Sequence, residues 1–296
     1  MLFARAALIA ALVACPLCTS ADARGDERQT EVRPSFGGYL AGRVARGQHD
    51  TEAAAHFFKR ALSRDPTNEI LLEQSLIMDL TEGQIAESVD LAQRLLATHP
   101  THRVAGLVLG VDAAKRSDFV NASDKFKRAA VSLVGEVTST LAGAWTRYAE
   151  GDVDGALAQL DGLKQADWAQ YYLRFHKALI SDLAGRNQEA GRLYERAFRS
   201  EQRLVRLTLA YAQHAAARGD RKLARSIIAE HTRRTTGNVH PYITALSESL
   251  DRNDKVPLLV TNPSEGLSEV FFGLGEALSS EGGTISRFGI TPIGLP

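Results

Sequence analysis

Residues 47–68 read GQHDTEAAAHFFKRALSRDPTN, and the pattern in them returns along most of the chain. A short loop precedes Ala54, an aromatic follows at Phe58, a small residue at Ala61 and a proline at Pro66. With Ser35 as the first residue of a 34-residue unit, these occupy positions twenty, twenty-four, twenty-seven and thirty-two. The next unit begins at Glu69 and places Gly83 at position fifteen and Pro100 at thirty-two. A third, from Arg103, puts Gly110, Ala122, Phe126 and Ala129 at positions eight, twenty, twenty-four and twenty-seven. Units from Val137, Tyr171 and Val205 follow, with Gly151, Gly185 and Gly219 at the loop and Ala156, Ala190 and Ala224 at position twenty. Six units thus tile residues 35–238 without insertion.

Each unit has the length and punctuation of two antiparallel helices. Small residues at eight and twenty let the paired helices approach, and the glycine at fifteen relaxes the turn between them. The aromatic at twenty-four and the small residue at twenty-seven face the next unit, and the proline stops the second helix. One helical hairpin cannot bury its own apolar face, so the units must stack. The pattern resembles the tetratricopeptide repeat over about two-thirds of the chain. That resemblance implies an all-α, right-handed superhelical solenoid whose inner face, lined by first helices, binds extended peptides. The family's usual tryptophan at position four is absent, and the first helices of the fourth and fifth units keep the core pattern poorly. The Lys and Asn of the family's peptide-carboxylate clamp, at the fifth and ninth positions, are replaced by Tyr39 and Arg43, Glu73 and Ile77, and Leu107 and Val111.

Beyond residue 238 the tiling is expected to fail. Residues 239–267 read as an irregular connector with one helix around Tyr242 to Leu250 and a loop holding Pro257 and Pro263. Residues 268–296 read as a partial seventh repeat and an irregular tail. Gly275 and Gly282 would take positions eight and fifteen, and Phe271, Phe272, Leu274 and Leu278 would form an uncovered apolar face inviting self-association.

At the other end, residues 1–23 have the form of a signal peptide. Arg5 precedes an apolar run from Ala6 to about Cys18, and Ala21-Asp22-Ala23 is a small-x-small cleavage pattern. The run is shorter than the ~20 residues a membrane-spanning helix needs. The expected location is periplasmic; the alternative is a lipoprotein anchored through Cys15, since Leu12-Val13-Ala14-Cys15 has the form of a lipobox. Residues 24–34 read as a disordered lead-in. Both cysteines, Cys15 and Cys18, lie in the export segment, so neither a disulfide framework nor a thiolate metal site is expected in the folded part.

Charge is balanced, with 35 Lys+Arg against 35 Asp+Glu, which argues against nucleic acid as a partner. No sequence motif for a metal, nucleotide or other cofactor is present. His99 and His102 flank a repeat junction, and no ligand set surrounds them in the sequence. Asp152-Val-Asp154-Gly155 opens like a calcium loop but lacks the remaining ligands, so Asp154 is expected to cap a helix. The function implied is a non-catalytic scaffold of a bacterial cell envelope that binds a protein or peptide. The alternative is an accessory subunit or enzyme acting on envelope glycan or peptide.

Two surfaces are candidates for the partner. Trp145, Tyr148, Tyr172 and Phe175 fall near the inner groove in the fourth and fifth units, as core side chains or as partner anchors. Arg192, Arg196, Arg199 and Arg203, spaced by four, three and four residues, fall on one helical face, either simply solvated or a strip for an acidic partner. The acidic stretch 65–93, with seven acids and no Lys or Arg, makes another copy of the chain one such partner.

Overall fold

The computed structural model describes residues 36–163, 167–200, 204–235 and 239–280. The stretches expected to be a signal peptide and a lead-in, residues 1–34, lie outside them, as do Arg203 and the tail beyond 280. Among the described residues there are fourteen α-helices and no strand, and no helix is long and apolar enough to cross a membrane.

Six helical hairpins follow one another in the expected register: α1 (Phe36–Gly47) with α2 (Thr51–Leu62), α3 (Glu69–Thr81) with α4 (Ile85–Thr98), and α5 (Arg103–Lys115) with α6 (Phe119–Arg128). Then come α7 (Leu133–Ala149) with α8 (Val153–Gly162), α9 (Asp167–Leu183) with α10 (Asn187–Ser200), and α11 (Val205–Ala217) with α12 (Arg221–Arg234).

The loop between paired helices is built the same way each time. Position fifteen is left-handed in all six units, as His49, Gly83, Ser117, Gly151, Gly185 and Gly219. Four are glycine because an L side chain is strained there. The backbone N–H of position sixteen then donates to the carbonyl of position eleven, as Asp50 to Ala45 at 3.0 Å, Asp152 to Arg147 at 3.0 Å and Asp220 to Ala215 at 2.9 Å. This is a Schellman closure of the first helix. The same aspartates open the second helix, their side chains accepting from the N–H groups of Ala53, Gly155 and Leu223. The cap of α8 is therefore Asp152, not Asp154, which instead forms an exposed ion pair with Arg186 at 2.6 Å.

Packing within a hairpin is complementary by volume. Positions eight and twenty-four are matched in size as Gly42 and Phe58, Leu76 and Ala92, Gly110 and Phe126, Ala144 and Leu160, Ala178 and Tyr194, and Ala212 and Ile228. A Cβ on Gly42 would lie 2.7 Å from the Phe58 ring, and one on Gly110 would overlap Phe126. Phe58, Phe126 and Tyr194 are all buried, and Phe58 and Phe126 fill the space that Gly42 and Gly110 leave bare.

Two departures from the tiling position the site. Helices α7 and α9 begin four residues ahead of Val137 and Tyr171 and run for 17 residues each, against 12 or 13 for the other first helices of the six units. The partial seventh unit is also not the segment from 268. It is α13 (Pro241–Asp251), which packs on α11 and α12. Asn253 is left-handed 34 residues after Gly219, and the Asp254 N–H closes on the Ser249 carbonyl at 2.9 Å. Arg221 and Arg225 of α12 donate to the Leu250 carbonyl, satisfying the end of α13. No second helix follows. The chain runs on with Val256 and Val260 buried and enters α14 (Pro263–Ser280).

A candidate partner-binding face

Helix α14 starts five residues before the expected 268, and its start is well specified. Pro263 stands at the first helical position, Asn262 Oδ1 accepts from the Glu265 N–H at 3.0 Å, and the Glu265 carboxylate accepts from the Thr261 N–H at 2.6 Å. These hydrogen bonds, the Thr261 N–H foremost, hold the Glu265 carboxyl below the usual carboxylate range.

Rather than stacking after α12 as a repeat helix would, α14 folds back across the first helices α5, α7 and α9. Gly266 lies on the Trp145 ring of α7 so closely that a Cβ there would overlap the indole. Seven residues later Gly273 faces Tyr172 near the start of α9, where a Cβ would sit 3.4 Å from the ring. The helix therefore runs antiparallel to α7 and α9. On one flank Phe271 meets Phe126 at 6.4 Å between ring centroids. On the other, Glu269 takes both arms of the Arg206 guanidinium of α11, with Nε to Oε2 at 3.0 Å. The same Arg206 lies over the Phe272 ring, 5.2 Å from its centroid. Leu267, Val270 and Glu269 are buried.

The energetics of this docking are mixed. Burying Leu267 and Val270 stabilises it by ~1.5–3 kcal/mol each. Against that, α14 carries Gly266, Gly273 and Gly275, each costing a helix ~1 kcal/mol relative to alanine. The Arg206–Glu269 pair contributes orientation more than stability, since burying charges offsets most of their attraction.

Beneath α14 lies the aromatic cluster expected in the fourth and fifth units. Trp145 is fully buried, and its indole N–H donates to His176 Nδ1 at 2.9 Å. His176 is itself sealed, and burial drives its pKa down to about 3, so the ring is neutral with its proton on Nε2. Phe175 is buried and stacks with Tyr171 at 5.8 Å. Tyr148 and Tyr172 are half-buried, Tyr148 edge-on to Trp145 at 5.9 Å. Trp145 and Phe175 are thus buried while Tyr148 and Tyr172 keep part of their surface open, and at Trp145 and Tyr172 the cover includes α14. Of the uncovered face expected on α14, Phe271 is half-buried and Phe272 remains 47% exposed. The side chains of Leu274 and Leu278 lie outside what the structure describes.

The arginine strip lies elsewhere. Arg192, Arg196 and Arg199 are exposed on α10, a second helix, and Arg199 pairs with Glu195. Sequence reasoning missed Arg206, Gly266, Glu269 and His176. The available signal was Glu269, a lone acid between Leu267 and the apolar run Val270-Phe271-Phe272, which marks a carboxylate needing a partner.

Other polar clusters are closed. Asp182 accepts from Arg218 at 3.0 Å and lies 2.9 Å from His214 Nδ1, all between α9, α10 and α11. The Tyr194 ring lies tilted against the same histidine at 5.4 Å, and a Cβ on Gly191 would stand 3.3 Å from its Nε2, so the imidazole is closely packed. His102 caps α5 by accepting from the Ala105 N–H and approaches Glu73, whose carboxyl that contact lowers. Among the described residues no group of three His, Cys, Asp or Glu side chains could hold a metal.

Compared with known proteins, the chain matches no family model and no curated protein sequence. Solved structures do match. A tetratricopeptide repeat protein from Parabacteroides merdae superposes with a TM-score of 0.61 at 13% identity, over 85% of this chain and 96% of that one. The MamA protein aligns over 69% of this chain and 97% of its own at 15% identity, with a TM-score of 0.37. The first likeness, with the period and loop geometry above, establishes the fold as a tetratricopeptide-type helical solenoid.

Proposed function

We propose that this solenoid of the tetratricopeptide type is a non-catalytic interaction scaffold of the bacterial cell envelope, taking a protein or peptide partner on its first-helix face. The observation that carries the reading is that this face already accommodates a helix. Trp145, Tyr172 and Arg206 supply an aromatic floor and a cation, the residue types that dominate protein recognition sites, and α14 shows that they engage a helical segment. The balanced charge favours a protein over nucleic acid. Residues 1–23 support export, with a mature chain starting at Arg24; Edman sequencing of the mature protein tests it. A start at a lipidated Cys15 would place the scaffold on a membrane, and an intact Met1 would overturn export.

The partner-binding test is photo-crosslinking in cells, with benzoylphenylalanine replacing Tyr148, Tyr172 or Arg196 in turn. Crosslinks from Tyr148 and Tyr172 but not from Arg196 are expected. The reverse pattern would transfer the site to the α10 strip, where Arg192 and Arg196 are exposed cations.

A further inference from the structure

We propose that α14 is a resident competitor for the partner site, and that the partner is an amphipathic helix carrying the pattern α14 carries. That pattern is a small residue against Trp145, an acid three positions later for Arg206, and aromatics two and three positions after the acid. The inference rests on the first-helix face being the partner site and names what fits it.

Four observations converge. The repeat series stops at Asn253 and the chain leaves the stack, so α14 is not needed to complete a hairpin. Its contacts are specific: Gly266 on Trp145, Glu269 on Arg206, Phe271 against Phe126 and Phe272 over the guanidinium. As a free helix it is poor, because three glycines weaken it, and whereas Gly266 is forced by the overlap with Trp145, Gly273 has ordinary room for a Cβ. A partner helix with one small residue in the right place keeps the contacts without that cost. Finally, α14 has its own cap at Thr261–Glu265, so it can leave as a unit while Val256 and Val260 stay buried.

This last point selects the occupant. Exchange of α14 with a second copy would need α14 to leave two chains at once and the segment before Thr261 to bridge two molecules, whereas a partner helix need only replace α14 on one. Displacement also uncovers the Arg206 charge and the Trp145–His176 pair, so the incoming helix must bring a carboxylate. A helix with a basic residue at that place is excluded by charge.

The test uses the full chain with Trp168→Phe, leaving Trp145 as the sole tryptophan. The probe is a synthetic peptide of residues 261–280, beside a control peptide carrying Glu269→Arg. In the chain, Gly266→Leu should expel α14 through the Trp145 overlap, red-shifting the emission and opening it to acrylamide while circular dichroism stays helical. The probe should then restore the blue emission and bind at least tenfold more tightly than to the chain with its own α14 intact; the control peptide should not bind.

Equal binding of both peptides, equal binding to both chains, or an exposed Trp145 that the probe fails to cover would each overturn the proposal. If Gly266→Leu leaves Trp145 protected, Arg206→Glu is added; continued protection would make α14 a fixed part of the fold and overturn it too. Sedimentation of the released chain is expected to show a monomer, and a dimer would assign the face to a second copy instead. The two readings fail separately. Crosslinks from Tyr148 and Tyr172 with no probe binding would sink the competitor alone, whereas probe binding with crosslinks only from Arg196 would sink the proposed partner site alone.

Discussion

Two buried ionisable side chains oppose each other in their dependence on pH. His176, sealed under Trp145, stays neutral down to about pH 3, whereas in the unfolded chain it takes a proton below about 6.5. The unfolded state then binds the extra proton, so stability present above pH 6.5 is lost as pH falls toward 3, by up to ~1.4 kcal/mol per pH unit. His176→Gln, whose amide oxygen can still accept from the indole, should flatten that loss; chemical denaturation at pH 7.5 and pH 5 measures it, and equal pH slopes in the two proteins would refute it. Asp79 behaves in the other direction. It sits at position eleven, where the first, third and sixth units have Ala45, Ala113 and Ala215. Its carboxylate is buried, with Lys59 Nζ at 2.6 Å as its partner. Burial raises its pKa, with Lys59 pulling back in part. A raised carboxylate costs the fold stability above its unfolded pKa, and the cost fades as pH falls and the group protonates. Asp79→Ala leaves only the half-exposed Lys59 unpaired, so it should raise the melting temperature at pH 7, with a gain that shrinks on acidification. A lower melting temperature at pH 7 would show that the ion pair stabilises.

At the level of the element, the repeat boundaries were legible because glycine at position fifteen and aspartate at position sixteen each recur in four of the six 34-residue units. Where the residue type changes, the signal fades although the backbone does not: Asn253 holds the same conformation as Gly219, and with asparagine in place of glycine α13 does not read as a first helix. The start of α14 was present as Asn262-Pro263-Ser264-Glu265, but Pro263 and the nearby Pro257 make the stretch read as a loop. The extra turns of α7 and α9 leave no periodic mark, since they precede the unit. The shared loop geometry makes a prediction of unequal sizes. Gly151→Ala, at φ 87°, should destabilise by about 1 kcal/mol. Ser117→Gly, at φ 61°, should stabilise by less than that, because glycine also frees the unfolded chain. Urea titration of both variants checks the signs, and a neutral Gly151→Ala would show that the loop relaxes out of the left-handed region.

Across the whole solenoid the period is silent about the site, because Trp145 finds its cover 121 residues away at Gly266, a pairing with no local signature. The core is likewise not one continuous body. One cluster joins α1 to α4 and ends at Ala105; a larger one runs from Ala113 through α13 to Leu267 and Val270 of α14. Helix α5 is shared between them, with Val104, Val108 and Leu109 packed on one side and Leu107 and Val111 on the other. In a repeat protein stability is close to a sum over neighbouring interfaces, so a break in side-chain packing is a break in cooperativity. Hydrogen exchange should therefore resolve two blocks meeting within α5, with residues 36–102 opening at lower free energy than the block that α14 ties together. Helix α14 reaches from Phe126 in the third unit to Arg206 in the sixth, so it binds units that are not neighbours in sequence and raises the cost of opening any one of them. Gly266→Leu should accordingly speed exchange throughout α7 and α9 and leave α1 to α4 unchanged. Uniform acceleration along the chain would mean that the two cores open together and that α5 transmits stability as well as any other helix.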